Sequence, residues 1–370
     1  MIELGGIGPG PFCGMILSDL GAEVIRVDRP TEAGSGTPFP VLHRGRRSVA
    51  IDLKSPAGAD VVLRLIDTAH ALIEGFRPGV AERLGLGPEV CLGRNPRLVY
   101  GRMTGWGQDG PLAHQPGHDI NFIAIAGALG AVGPAGGDPA VPLNLVGDMG
   151  GGGLLLATGI TAALLAVKAT GDGQVVDAAM TDGTAIQLAS IWGLAALGRW
   201  QDRRGVNLLD GGAPFYRVYR CADGGHVAVG CLEPEFYAAL LRVLELAGDP
   251  LFGDQYDESA WPSMSDRLAE IFASRSREDW SQAFLGQDAC VTPVLGLAEA
   301  AAHPHNATRR TYAVDESGVV QPHTAPRFLG TPSAPPTPAR VVGADTGDVL
   351  AEAGFDSAAI DRLRADGVVA

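Results

Sequence analysis

The sequence predicts an α/β protein with a parallel sheet in its first half, followed by a smaller α+β region. Three observations carry this. Short apolar runs alternate with helical patterns from Ile2 to Arg102, the signature of parallel strands with helices on both faces. The texture changes after about residue 200, where two strand-like runs flank Ala222-Asp223-Gly224-Gly225, a hairpin turn signal. The 370 residues exceed what one core usually organises, so two packed regions are expected.

The elements follow in order. Ile2-Glu3-Leu4 reads as a strand, Gly5 to Pro11 as a loop, Phe12 to Leu20 as a helix, and Ala22 to Val27 as a returning strand. Ser55-Pro56 is a helix start, with proline just inside the end, and Val61, Val62, Leu65 and Ile66 mark one apolar face. Ala71-Leu72-Ile73-Glu74 and Leu98 to Arg102 are further strands. From Met149 to Val167 there is no charge, and length alone would permit a membrane span. The Gly150 to Gly153 start reads as loop, and the Ala- and Thr-rich remainder as a buried helix. One long helix is expected from Asp182 to about Leu197. Phe215 to Cys221 and His226 to Cys231 form the hairpin. Helices follow from Pro234 through Leu246, from Asp266 to Ser274, and from Ser276 to Phe284, the last opened by a Ser276-x-x-Asp279 capping box. Pro332 to Pro338 holds four prolines and reads as a linker, and Asp348 to Ala370 as helical.

Composition narrows the function classes. Apolar residues make up 46% and charged residues 19%, as in a folded globular protein. A formal net charge of −14 argues against nucleic acid, which needs a basic surface. An anionic small molecule would need a local basic cluster, and the basic residues do concentrate early, at Arg26, Arg29, Arg44, Arg46, Arg47, Lys54, Arg64, Arg77, Arg83, Arg94, Arg97 and Arg102. The five cysteines (Cys13, Cys91, Cys221, Cys231, Cys290) contain no Cys-x-x-Cys pair, so neither a metal nor a redox motif is expected. A sparse, odd count suits a reducing cytoplasm. No secretory signal or peroxisomal address is expected from either end of the sequence.

Gly8-x-Gly10-x-x-x-Gly14 follows a strand and opens a helix, with Asp28 18 residues after Gly10. That is a loose version of a dinucleotide fingerprint. Pro9 and Pro11 each remove an N–H that a pyrophosphate would need, so a tight strand-to-helix turn in a Rossmann-like fold is preferred over an NAD site.

Several longer runs stand in a fixed order: Gly8 to Pro11, Ile51 to Lys54, Gly75 to Gly79, Thr104 to Pro111, Gly117-His118-Asp119-Ile120-Asn121, Asn144 to Asp148, Val176 to Met180 and Leu209 to Pro214. Together they resemble the family III CoA-transferase superfamily, and within it the alpha-methylacyl-CoA racemase branch, over nearly the whole chain. The resemblance implies a large Rossmann-like, CoA-binding domain over 1–185, a linker helix over 186–204, a small domain over 205–305, and a linker with a C-terminal return to the large domain over 306–370. It implies an interlocked homodimer acting on an acyl-CoA substrate, with no separate cofactor, no metal, no membrane and no nucleic acid. It implies that His118 and Asp148 are two bases facing opposite sides of the substrate's alpha carbon, with Glu233 pairing with the histidine across the dimer. CoA-contacting positions implied in the same way are Arg29, Ile51, Asp52, Leu53, Lys54, Gly75, Phe76, Arg77, Arg83, Gly117, Asp119, Ile120, Asn121 and Phe122. Two departures stand out: the sequence opens at Met1-Ile2-Glu3-Leu4, where relatives have a longer lead-in, and Phe122 stands where tyrosine is common.

Two bases suit racemisation, because the proton leaves one face and returns to the other. Histidine titrates near neutrality, and an aspartate in an apolar setting is raised toward the same range. The enolate oxygen is expected to meet backbone N–H groups at a helix start after Gly117 or after Asp148. In a CoA-transferase of the same superfamily the matching aspartate would be a nucleophile. The Gly-His-Asp setting of His118 and the Leu209-to-Pro214 run favour the racemase. An NAD-dependent dehydrogenase and a non-enzymatic acyl-CoA-binding protein are more distant readings.

Overall fold

The computed structural model describes residues 1–370 and divides the chain into two compact units. The first comprises Met1–Ala126, Leu143–Leu188 and Arg310–Ala370; the second comprises Gly127–Pro142 and Ala189–Arg309. Residues 127–142 thus group with the second unit although they lie within the sequence of the first.

The first unit opens with β1 (Ile2–Leu4), α1 (Pro9–Asp19), β2 (Ile25–Asp28), β3 (Arg47–Ala50), α2 (Pro56–Ile66), β4 (Ala71–Glu74), α3 (Val80–Arg83), α4 (Pro88–Arg94), β5 (Val99–Thr104) and α5 (Asp119–Ile125). The short α6 (Ala128–Ala131) belongs to the second unit. The first unit resumes with a π-helix (Leu145–Leu154), which runs directly into α7 (Leu155–Thr170), then β6 (Gln174–Ala179) and α8 (Met180–Gln187). Six strands form one parallel sheet in the order β3-β2-β1-β4-β5-β6. The order reverses direction between β1 and β4, and in such sheets ligands bind beyond the carboxyl ends of the strands at that switch point.

Both faces are covered. On one, Val61, Val62, Leu65 and Ile66 of α2 pack with Ile2, Leu4, Val27 and Leu72. On the other, Cys13 and Leu17 of α1 meet Leu156, Ile160 and Val167 of α7 over Ile73, Val99 and Met103. The edge strand β3 is closed by the C-terminal segment. Ser48 N–H donates to Asp345 Oδ2 at 2.9 Å and Ala50 N–H to Thr346 Oγ1 at 3.0 Å, which occupies an edge that would otherwise invite another strand.

The second unit contains α9 (Ala189–Ala196) and an antiparallel three-stranded sheet, β7 (Tyr216–Arg220), β8 (His226–Gly230) and β9 (Val291–Pro293). Helices α10 (Pro234–Val243), α11 (Trp261–Phe272) and α12 (Arg277–Phe284) join it around Phe215, Tyr219, Trp261, Phe272 and Trp280. Ser276 caps α12 as the sequence predicts, its Oγ accepting from the Asp279 N–H at 3.1 Å.

Two expectations are corrected, and two strands are added. The helix expected from Asp182 to Leu197 is two helices meeting at Leu188, and the two belong to different units. The sequence reading lacks β3, a strand of four residues, and β6, whose six residues include Gln174 and Asp177 and break the apolar run. The Gly150 to Gly153 start of the uncharged stretch is helical rather than loop. Those glycines exist for close approach. A Cβ on Gly152 would fall 2.9 Å from Pro9 Cβ, and one on Gly183 would fall 1.9 Å from the Gly151 carbonyl oxygen. Leu145–Thr170 is long and apolar enough to cross a membrane, with mean hydropathy 1.8, yet Leu156, Ile160 and Val167 are buried against the sheet.

Candidate active site

Strand ends position almost every residue singled out in the first unit. Arg29 follows β2, Ile51 to Lys54 follow β3, Gly75 to Arg77 follow β4, and Gly117 to Phe122 follow β5. This collects them at the carboxyl edge of the sheet, which is where its topology predicts a ligand.

His118 is the residue before α5 and is exposed. Its backbone N–H donates to Asn121 Oδ1 at 3.0 Å, which seats the histidine at the mouth of the helix. Asp148 lies in the first turn of the π-helix and is half-buried. Its Oδ2 accepts from Asn144 Nδ2 at 3.1 Å, and its backbone N–H donates to Asp119 Oδ1 at 2.6 Å. Burial pushes the Asp148 carboxyl above its usual value, and the Asp119 charge pushes the same way; the Asn144 contact and the His118 charge oppose them. The two candidate bases are therefore close enough to sense one another. The Asp148 amide, being spent on Asp119, is withdrawn from the groups expected to hold an enolate oxygen.

The glycine loop after β1 has a role the sequence reading missed. Gly8 has φ of 69° and faces Asp148, and a Cβ there would fall 2.9 Å from Asp148 Oδ2. At Gly8 the missing side chain makes room for that carboxylate. Asn144 was missed as well, although its spacing of four from Asp148 places the two side chains on one helical face.

The basic cluster separates into two groups. Arg26, Arg44, Arg46 and Arg102 are buried, at 8% exposure or less, and pair internally with Asp28, Asp19, Glu3 and Glu74. They are not available to an anionic small molecule, because on their strands and loops they point into the protein. Arg29, Lys54, Arg77 and Arg83 are exposed. Leu53, Lys54 and Arg83 come together in the wall of a cleft of about 340 Å³ with Ser55 and Leu84. That cleft includes neither His118 nor Asp148.

Three implied CoA contacts have side chains turned inward. Ile51, 1% exposed, packs in the sheet core. Asp119, 6% exposed, holds the Asp148 amide. Phe122 is buried edge-on against Trp106 with ring centroids 4.7 Å apart, and a Cβ on Gly117 would fall 2.6 Å from its ring. Phe122 therefore props the loop that carries His118, a task that needs no hydroxyl. Asp52, Gly75, Phe76, Ile120 and Asn121 remain at or near the surface. Glu233 is exposed, immediately before α10, and belongs to the second unit. Asp210, in the Leu209-to-Pro214 run, is spent on a turn, accepting from the N–H groups of Gly205, Asn207 and Gly212 at 2.8, 2.8 and 3.1 Å.

The family model for CoA-transferase family III matches residues 1–346. The chain is 45% identical over 370 residues to the alpha-methylacyl-CoA racemase of Homo sapiens, covering 100% of this chain and 96% of that protein. It is 44% identical to the Mus musculus racemase with the same coverage. Among solved structures, a CAIB/BAIF family protein from Brucella suis superposes with a TM-score of 0.81 at 26% identity, covering 95% of this chain and 97% of that one. The parallel sheet, its loaded carboxyl edge and these full-length matches lead to one statement of kinship: the chain belongs to CoA-transferase family III.

Proposed function

We propose that the protein is a racemase that interconverts (R)- and (S)-2-methylacyl-CoA thioesters by 1,1-proton transfer through an enolate. The observation that carries this is that His118, at the mouth of α5, and a half-buried Asp148, in the first turn of the π-helix, stand near enough for the charge of the histidine to act on the carboxyl. The 45% identity to the Homo sapiens racemase over the full chain supports it. His118 takes the alpha proton from the S substrate while Asp148, protonated, returns one to the opposite face; the R substrate reverses the roles. Each direction leaves the pair one proton transfer from its starting state, so no oxidant, reductant or second acid is consumed.

The substrate's CoA portion occupies the carboxyl edge of the sheet, with Lys54 and Arg83 meeting phosphate in their shared cleft. Arg83→Ala is expected to raise KM about 10-fold with little change in kcat, because binding is lost equally from ground and transition states. An unchanged KM would remove Arg83 from the CoA seat. Two chains act together, with Glu233 of one pairing with His118 of the other. Large exposed apolar side chains support such an association, among them Leu165 at 70%, Trp192 at 67%, Leu297 at 91% and Leu329 at 95% exposure. Sedimentation should give twice the chain mass. The setting is the cytoplasm, consistent with five free cysteines, and cell fractionation reads it directly.

The deciding experiment is proton NMR of one epimer of a 2-methylacyl-CoA in deuterated water with purified protein alone. Loss of the alpha-proton signal with appearance of the second epimer is expected. No exchange, but CoA passing to an added carboxylic acid, would instead make Asp148 the nucleophile of a transferase.

A further inference from the structure

Asp148 is bracketed by several elements. Its own π-helix supplies Asn144, and the start of α5 supplies His118 and Asp119. The neighbouring helices bring little charge. Asp19 of α1 pairs with Arg44, Lys168 of α7 lies in that helix's last turn, and Asp182 lies in the first turn of α8. On the strands, Arg102 is held by Glu74 and Glu82, and Asp177 belongs to β6. The charges that act on the Asp148 carboxyl are those of Asp119 and His118.

Asp119 is the unusual member. It is 6% exposed; one oxygen accepts the Asp148 N–H at 2.6 Å, and the other is buried with no hydrogen-bond partner. Space is kept for it, since a Cβ on Gly147 would fall 2.5 Å from its Oδ1. An unsatisfied buried carboxylate oxygen is costly, and calls for an explanation beyond packing.

We propose that Asp119 is a positioning residue for racemisation, its buried carboxylate fixing the Asp148 backbone and setting the charge that the Asp148 side chain faces. The inference rests on the reading of Asp148 as one of the two bases. When His118 is the base, Asp148 must be carrying a proton, and a fixed negative charge beside it opposes that proton's loss. The burial of Asp148 works in the same direction. The tie to the Asp148 N–H also sets where the π-helix begins, and with it the face of the substrate that Asp148 addresses.

Asp119→Asn and Asp119→Ser each keep an oxygen for the Asp148 N–H and remove the charge. The protein labelled with ¹³C at aspartate carboxyl carbons is titrated, with the Asp148 signal assigned by its absence in Asp148→Asn. In both variants the Asp148 midpoint is expected at lower pH than in the parent chain. The acid limb of the kcat/KM profile should move with it, and kcat should fall about 10- to 100-fold because the protonated form of Asp148 becomes scarcer at neutral pH, with KM within about twofold. A role in folding alone would lower the melting temperature without moving the Asp148 midpoint, and that result overturns the proposal. Absence of alpha-proton exchange in the parent chain would overturn the racemase reading instead, leaving the midpoint shift to decide the role of Asp119.

Discussion

Asp148→Asn is expected to slow alpha-proton exchange by orders of magnitude while leaving the fold at least as stable as the parent at neutral pH. Asparagine matches aspartate in shape and can still meet Asn144, but it neither accepts nor returns a proton. The expected loss is about 10²–10⁴-fold, the usual contribution of a positioned acid–base group. The stability argument follows from the site's electrostatics. Burial and the Asp119 charge outweigh Asn144 and His118, so the carboxyl lies above its ordinary value of 3.8 in the native state. The native protein therefore holds this proton more tightly than the unfolded chain does. The stability from this group is fully present below the unfolded value and is lost as pH rises through the folded one. At neutral pH the charged form is the costly one, and asparagine avoids it. Urea midpoints should be equal or higher for the variant at pH 7, with the gain vanishing as pH falls toward 3.8. Normal exchange in the variant would end the role of Asp148 as a base; a lower midpoint at pH 7 would contradict the account of its burial.

Arg46→Met should cost the most stability of any single change considered. Arg46 Nε lies 2.8 Å from Glu3 Oε2, with both side chains at 2% exposure or less. Its other nitrogens donate to the carbonyl oxygens of Leu42 and Pro11. The arginine thus joins β1, the start of α1 and the loop before β3. Burial already pushes the Glu3 carboxyl upward even with Arg46 beside it. Removing the cation leaves Glu3 buried and unpaired, at a cost of about 3–5 kcal/mol. Glu3→Met together with Arg46→Met should recover part of that loss, since two apolar groups leave no stranded charge. Recovery will be incomplete, because the two carbonyls lose their donor. Chemical denaturation of the three variants checks this, and a double variant no better than Arg46→Met would show that the carbonyl contacts matter more than the ion pair. Because Pro11 belongs to the helix whose preceding Gly8 faces Asp148, Arg46→Met should also lower kcat.

The sequence by itself determined the parallel α/β class, the hairpin of the second unit, the Ser276 cap and the ordered set of motifs that marks the family. These are local or periodic properties: strand and helix alternation, turn chemistry, and residue types at fixed spacing. It singled out His118 and Asp148 only through that ordered set, because a histidine or aspartate beside glycine is by itself more often a turn or a cap. Tertiary structure alone decided which charges are available. Arg26, Arg46 and Arg102 look like Arg29 and Arg83 in sequence, and differ only because strand direction and loop path aim them at buried carboxylates. The same holds for Gly8, which reads as part of a nucleotide loop until packing brings it against Asp148. Asp119 reads as a ligand contact until its carboxylate is found beneath the Asp148 amide, 29 residues along the chain. Contacts between segments distant in sequence leave no periodic trace, so burial and pairing appear only once the chain has closed on itself.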